Sequence, residues 1–326
     1  MSESRRSELE LFNRLSIVVP AFNEERGIRE TVRTLSSQFP GAEVIVVDDG
    51  STDGTGQAAL EFPTVIVAQH RFNRGYGAGL KTGMTIASRE YVAWFDADNE
   101  HRAADLSEML QRISHENLGA VIAQRRVAGP SPVRNVGKWA IRLLARALDI
   151  EGGKDINCGL RIFRRDVICR YLGLLPDSFS ASTTSTAIML ERGYPIAYHD
   201  IELNPRIGES KVRIVHGFVA LMLVLRIIML FAPMRIFLRS GAILFAIGLI
   251  YGVAVAVAGG RGLPAAAIFL MLGGLLFVFF GLIADQISQM RLAQYDEPLY
   301  RVLSGPLKKA SAHDPHEQVD ERVASK

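Results

Sequence analysis

An apolar run that ends in alternating acids, Tyr91-Val-Ala-Trp-Phe-Asp96-Ala-Asp98-Asn-Glu-His101, is the stretch of this 326-residue chain best equipped for chemistry. In an extended chain, side chains two apart point the same way, so Asp96 and Asp98 can share one hard divalent cation. A nucleoside diphosphate needs such a cation when it departs. Paired acids after a strand also occur as solvated turns, and the neighbouring motifs decide between the two readings.

Three polar clusters flank apolar runs that read as strands. Pro20-Ala-Phe22-Asn23-Glu24-Glu25 follows Leu15 to Val19; Pro20 restrains the backbone, while Asn23, Glu24 and Glu25 can accept bonds from a base or cap a helix. Asp48-Asp49-Gly-Ser-Thr-Asp53 closes Glu43 to Val47, and a carboxylate there can hold a base or ribose donor or simply order a capped loop. Asp96 to His101 follows Tyr91 to Phe95. Further strands are expected at Thr64 to Ala68 and Ala120 to Ala123, and helices at Glu24 to Ser37, Thr52 to Phe62, Ala78 to Arg89 and Ala104 to His115. That alternation predicts an α/β fold with a mostly parallel sheet covered by helices on both faces. Ligands of such sheets gather at the carboxyl ends of strands, so the three clusters should converge on one edge. Phe72-Asn-Arg74-Gly75-Tyr-Gly77-Ala-Gly79-Leu-Lys81 reads as a flexible basic loop entering a helix, suited to backbone approach to a phosphate.

Together these stretches resemble glycosyltransferase family 2, in its polyprenyl-phosphate glycosyltransferase branch. The matching segments are Val18-Val-Pro-Ala-Phe-Asn-Glu-Glu25, Val46-Val-Asp-Asp-Gly-Ser-Thr-Asp-Gly-Thr55, Asn73-Arg-Gly-Tyr-Gly-Ala-Gly79, Phe95-Asp-Ala-Asp98, Asp155-Ile-Asn-Cys-Gly-Leu-Arg161 and Arg206-Ile-Gly-Glu-Ser-Lys211. The resemblance implies a GT-A-type nucleotide-sugar fold over residues 15–212, preceded by a segment 1–14. It implies that Pro20, Phe22, Asn23, Glu24, Asp48 and Asp49 line the nucleotide pocket. It also implies that Asp96 and Asp98 bind Mg²⁺ or Mn²⁺ beside the diphosphate. Glu100 stands where many relatives carry Gln and is added to the metal set. Arg125 is expected near the sugar or phosphates, and Asp155 and Arg161 on the acceptor side of the cleft. Ser180-Ala-Ser-Thr-Thr-Ser-Thr186 departs from relatives that carry an acid near this point.

The last third of the chain bears on the acceptor. Gly241 to Ala258 and Leu263 to Ala284 are uncharged runs long enough to cross a bilayer, joined by Gly259-Gly-Arg-Gly262. They read as a transmembrane hairpin over 240–285. The stretch 213–239 is apolar but holds Arg213, His216, Arg226, Arg235 and Arg239. Placing Arg226 at mid-bilayer costs about 2.5 to 3.5 kcal/mol, so an interfacial helix is expected instead. Arg235, Arg239, Arg291, Arg301, Lys308 and Lys309 then share one side against Arg261, which puts both termini and the catalytic domain in the cytoplasm. Residues 286–326 read as a cytoplasmic tail, flexible from about Asp296 onward. Arg206 and Lys211, just before the apolar third, are suited to the phosphate of a lipid.

With 48% hydrophobic residues and a formal charge of +3, composition gives no sign of a nucleic-acid partner. Cys158 and Cys169 are the only cysteines, and the start of the chain lacks an apolar signal core, which favours a reducing compartment. The expected reaction is inverting transfer of one hexose from a UDP or GDP sugar to polyprenyl phosphate at the cytoplasmic membrane face. Self-association into a homo-oligomer is compatible with it. The alternatives are a catalytically silent membrane scaffold that binds sugar nucleotides, and a glycan-elongating family 2 synthase. The chain lacks the Gln-x-x-Arg-Trp motif usual in such synthases, and it lacks the Gly-rich, Lys-containing loop after the first strand that a nucleotidyltransferase needs.

Overall fold

A computed structural model of the protein describes residues 3–125, 158–202, 225, 229–231, 233–259 and 262–294. Its centre is a seven-stranded sheet in the order β3-β2-β1-β4-β6-β5-β7. The strands are β1 (Leu15–Ala21), β2 (Glu43–Asp48), β3 (Ile66–Gln69), β4 (Tyr91–Trp94), β5 (Ala120–Arg125), β6 (Arg161–Arg164) and β7 (Ile196–Ile201). β1, β2, β3 and β4 run parallel, and β6 is inserted antiparallel to both β4 and β5. Every residue of β1 and β4 is buried, as expected of inner strands covered on both faces. The five strands expected from the apolar runs are present. β6 and β7 come as additions: β6 is only four residues long, and neither shows an uninterrupted apolar run.

Helices α1 (Glu3–Phe12), α2 (Glu25–Gln38), α3 (Thr55–Leu60), α4 (Tyr76–Ile86) and α5 (Ala103–His115) alternate with the first strands, after which come α6 (Arg165–Ile168) and α7 (Ala181–Glu191). Two cores result. One face gathers Ile17, Val19, Ile28, Val32, Leu35, Leu106 and Leu110, and the other gathers Val18, Ile45, Leu80, Met84, Trp94, Phe163 and Ile188. This is the alternation of β1 made physical, odd residues to one layer and even to the other.

Pro20 does not end β1, which continues to Ala21. In a parallel strand Pro20 faces the same neighbour as Val18, and Val18 accepts its last bond on the β4 side from Phe95. β4 has stopped by then, so the missing N–H of Pro20 breaks no ladder. α4 lies close against β1 because its glycines permit it: a Cβ at Gly79 would stand 3.1 Å from Pro20 Cβ, and one at Gly83 only 2.2 Å from Val18 Cγ1.

The C-terminal part forms a helical hairpin, α8 (Pro233–Gly259) and α9 (Ala265–Ala293). At 1.5 Å per residue, helices of 27 and 29 residues are long enough to cross a bilayer core of roughly 30 Å. Small residues let the two backbones meet: Cβ atoms at Gly241 and Gly274 would each lie within 2.7 Å of the other's carbonyl oxygen, and one at Gly248 within 2.9 Å of Ala267 O. Large apolar side chains such as Ile243, Val257 and Phe269 face outward. α8 begins inside the stretch assigned to an interfacial helix, where Phe237 packs on Gly281 and on the Phe277 ring at 5.9 Å. The remainder of that stretch up to 228, including Arg226, lies outside the described residues apart from residue 225. Phe231 is buried in the same core layer as α4, with Leu230 and Ile236 packed against it, so the root of the hairpin is joined to the α/β domain.

Candidate active site

β2, β1 and β4 are parallel neighbours, so their carboxyl ends share one edge. The sheet order reverses between β1 and β4, which opens the crevice where ligands of doubly wound sheets sit. β5 also runs parallel to β4, because two antiparallel pairings separate them, and Arg125 at its end reaches the same edge.

The first two clusters are tied together by their own backbone. Asn23 (φ 53) donates its amide to Ser51 Oγ at 3.0 Å and accepts from Thr52 N at Oδ1 at 2.8 Å, while Glu24 N donates to Thr55 Oγ1 at 2.9 Å. No side chain of the cluster caps α2 in the usual way; Asp53 Oδ2, from the other loop, accepts from Glu25 N at 3.4 Å. Burial pushes the Asp53 carboxyl up, but the Thr55 hydroxyl and the amides it accepts outweigh this and hold it below its ordinary value.

Asp48 and Asp49 are turned inward, 1% and 3% exposed. Asp48 accepts from Ser51 N at 2.9 Å and from Gln69 Nε2 at 2.8 Å. Asp49 accepts Arg74 N at 2.9 Å and Gly75 N at 2.7 Å, and lies 2.6 Å from His70 Nδ1. Both acids therefore brace the walls of the crevice, and Asp49 draws the glycine loop across Gly50, whose φ of 71 and contact with Phe72 and Asn73 backbone admit no side chain.

The glycine loop differs from its expected use. Gly77 N and Ala78 N, at the start of α4, donate to Asp177 O, and a Cβ at Gly77 would meet Pro176 O at 2.1 Å. The backbone that approaches these glycines is the chain's own segment 176–178, which Lys81 secures by an ion pair with Asp177. That segment also places Phe179, 74% exposed, in a stack on Tyr76 with ring centroids 5.2 Å apart.

β4 stops at Trp94, so Asp96 and Asp98 stand on a turn and strand alternation does not align them. The turn is held from α2: Thr31 Oγ1 donates to Ala97 O at 3.1 Å, and Gly27 lets that carbonyl come to 2.5 Å from where a Cβ would be. Asn99 takes φ 59, and Glu100 N donates back to Asp98 Oδ1 at 3.2 Å. Asp96 is partly buried, with Tyr76 Oη at 2.9 Å from Oδ1 and His101 Nε2 at 3.2 Å from Oδ2. Burial raises the Asp96 carboxyl, but His101, Tyr76 and the charge of Arg125 outweigh it and keep it below its ordinary value. Burial lowers the His101 imidazole, whereas the bond to Asp96 and the nearby acids raise it, and the rise prevails.

Among the described residues no three His, Cys, Asp or Glu side chains form a metal-holding group. Of the expected set, Asp96 faces Tyr76 and His101, and the Glu100 backbone N–H donates to Asp98 Oδ1. Two hard carboxylates fit Mg²⁺ or Mn²⁺ in sites where substrate phosphates and water complete the shell.

Arg161 begins β6 beneath this edge and is fully buried, donating to Cys158 O at 2.8 Å and to Thr186 Oγ1 at 2.6 Å, with its guanidinium 5.9 Å from the Trp94 ring centre. The Ser/Thr run that departs from its acidic relatives is thus the start of α7, whose hydroxyls receive this cation. Asp155, Arg206 and Lys211 lie outside the described residues. Tyr76, His101 and Gly159 were given no role from sequence. His101 sat five residues past Asp96 in the quoted run, and only a turn brings the two together.

Residues 16–171 match the family described as glycosyl transferase family 2, and residues 232–290 match the GtrB C-terminal hairpin. An undecaprenyl-phosphate mannosyltransferase of Micrococcus luteus is 31% identical over 48% of this chain and 68% of its own length. The chain belongs to glycosyltransferase family 2. A dolichyl-phosphate beta-glucosyltransferase of Dictyostelium discoideum is 25% identical over 48% of this chain and 55% of its own. An undecaprenyl-phosphate 4-deoxy-4-formamido-L-arabinose transferase of Pseudomonas fluorescens is 27% identical over 85% of both chains. The chain thus spans about half the length of the Dictyostelium relative and most of the Pseudomonas one. Glucosyl-3-phosphoglycerate synthase from Mycobacterium tuberculosis, solved with Mn²⁺, UDP-glucose and phosphoglyceric acid, shares the fold: TM-score 0.52, 19% identity, 67% of this chain and 82% of that one. This glycosyltransferase therefore joins a GT-A-like α/β domain to a hairpin of two apolar helices.

Proposed function

We propose that this glycosyltransferase moves a single sugar from a nucleoside-diphosphate sugar to a polyprenyl phosphate, at the membrane face on which its α/β domain lies. The observation that carries the reading is the union of two features in one molecule. A carboxylate pair stands at the topological switch of the sheet, and an apolar hairpin is rooted through Phe231 in the same core layer as α4, which contributes Tyr76 to that pair. The relatives named for undecaprenyl and dolichyl phosphate acceptors support the same acceptor class.

The acceptor phosphate is an anion at neutral pH and needs no dedicated base. One of its oxygens attacks the anomeric carbon, the bond from that carbon to the diphosphate oxygen breaks, and the nucleoside diphosphate leaves with the electron pair. Attack opposite the leaving group inverts the anomeric centre. A bound Mg²⁺ or Mn²⁺ neutralises charge on the departing diphosphate. Asp96 and Asp98 would hold that ion, Arg125 lends positive charge to the same edge, and Asp49 and Asn23 keep the donor loops in place. Arg206 and Lys211 are assigned to the acceptor phosphate, and the hairpin brings the crevice to the lipid headgroups with both termini cytoplasmic.

The test is incubation of the purified full chain with a short polyprenyl phosphate, Mg²⁺ and a panel of UDP and GDP hexoses, followed by mass analysis of the lipid. A lipid-phosphate hexose is expected from one donor, and Asp98→Ala should abolish it with an unchanged melting temperature. Wild-type turnover in that variant would refute the metal role. Release of nucleoside diphosphate with no lipid-linked product would refute the acceptor, and donor binding without release would favour a scaffold.

A further inference from the structure

The carboxylate of Asp96 is flanked by three groups, from α4, from its own turn and from the segment before β6. Tyr76 Oη, at the start of α4, donates to Oδ1 at 2.9 Å, and His101 Nε2 stands 3.2 Å from Oδ2. Beneath them, a Cβ at Gly159 would fall 2.2 Å from Oδ2, so that side is closed by backbone alone. The Tyr76 ring is itself oriented by its stack on Phe179.

His101 is poorly explained by packing. Its side chain is 3% exposed, its ring meets Phe95 edge-on at 5.9 Å, and its Nδ1 is buried without a hydrogen-bond partner among the described residues. A residue present only to fill that slot would be apolar, since a buried polar atom left unpaired is destabilising. Among the described residues the imidazole's polar bond is to Asp96, and the unpaired Nδ1 is tolerated for its sake. Tyr76 shows the same economy, with its hydroxyl committed to the other oxygen.

We propose that Tyr76 and His101 act as a positioning clamp that fixes the plane of the Asp96 carboxylate for a divalent cation shared with Asp98. Neither residue touches the reacting atoms. With one donor on each oxygen, the carboxylate loses its free rotation, and its remaining lone pairs have set directions. Asp96 is thereby held from α4 on one oxygen and from its own turn on the other. Groups that orient metal ligands in this way typically contribute 10- to 100-fold in metal affinity.

The inference rests on the reading of Asp96 and Asp98 as the metal pair, and one experiment separates the two claims. Mn²⁺ is titrated into the full chain in detergent with saturating UDP or GDP, free Mn²⁺ being followed by electron paramagnetic resonance. Tyr76→Phe and His101→Phe should each weaken Mn²⁺ binding at least about tenfold, and His101→Gln, which retains an N–H donor, should recover most of it. Melting temperatures identify any variant that fails to fold, and Tyr76→Phe, which removes a single oxygen, carries the test if His101→Phe does. Affinities of both Phe variants within about twofold of wild type would overturn the clamp and leave the metal pair standing. Failure of the wild-type protein to bind Mn²⁺ with either nucleotide would overturn both.

Discussion

At Gly159 one methyl group is enough to disturb the crevice. The Cβ of an alanine would meet the Asp96 carboxylate at 2.2 Å, and the cheapest relief is rotation of that side chain away from Tyr76 and His101. Gly159→Ala should therefore lower sugar transfer by roughly 10²-fold, the size of loss expected for an ångström-scale misplacement, while melting changes little. Initial rates beside a thermal denaturation curve check both halves. Far from the site, Glu43 joins two strands: it accepts from Ser16 Oγ at 2.6 Å and from Ser88 N and Oγ at 2.8 Å. Burial raises its carboxyl, yet those bonds outweigh it and hold the group below its ordinary value. A carboxylate depressed in the folded state stabilises the fold above its unfolded pKa and ceases to do so as pH falls through its folded pKa. Glu43→Gln should thus melt lower than wild type at pH 7, with the gap closing below about pH 4. A gap that stays constant with pH would show that shape, and not charge, is what Glu43 supplies.

Among the elements, α4 connects the most parts of the molecule. Its first residue reaches Asp96, its amides at Gly77 and Ala78 donate to Asp177 O, Met84 Sδ lies 3.3 Å from the Trp94 indole nitrogen, and its Leu80 and Met84 join the layer that holds Phe231. That placement depends on glycine at the β1 contact. Gly83→Ala would gain up to about 1 kcal/mol in helix propensity but overpack Val18 at a cost of about 1–3 kcal/mol, so the steric term should prevail. A lower melting temperature for the full chain in detergent is expected, and an unchanged or higher one would mean that α4 can slide off β1 freely.

On the scale of the whole molecule, the hairpin is what ties the proposed chemistry to a membrane. α8 starts and α9 ends at the same end of the pair, where Ser288 Oγ donates to Leu230 O and Gly281 packs on Phe237, so the end of α9 lies at the end of the hairpin that is rooted in the α/β domain. We propose that this end is the cytoplasmic one, since Arg235, Arg239 and Arg291 belong to it against the one Arg261 of the turn sequence. A cysteine introduced at Arg261 should react with a membrane-impermeant maleimide from outside intact cells, and one introduced in the tail near Lys308 should not. The reverse pattern would move the donor crevice to the outer face and remove the proposed use of cytoplasmic sugar nucleotides.

The alternation of apolar runs and helical stretches, the carboxyl-end position of three acidic clusters and the length of two uncharged segments were all legible in the chain, because strand period and bilayer thickness act locally. β6 and β7 were not legible: Arg161-Ile-Phe-Arg164 is a strand because β4 and β5 leave a gap that it fills, and its leading Arg161 is tolerated only over Trp94 and the hydroxyls of α7. Likewise the chain displayed Asp96 and Asp98 but misjudged what aligns them, and displayed Gly75 and Gly77 without the segment 176–178 that closes on them. Tyr76 and Gly159, 20 and 63 residues from Asp96 in sequence, become its neighbours only through long-range packing of helix and sheet, and His101, five residues on, through the turn between them. Local chemistry thus determined which groups the protein could use, and tertiary contact alone decided which of them face one another.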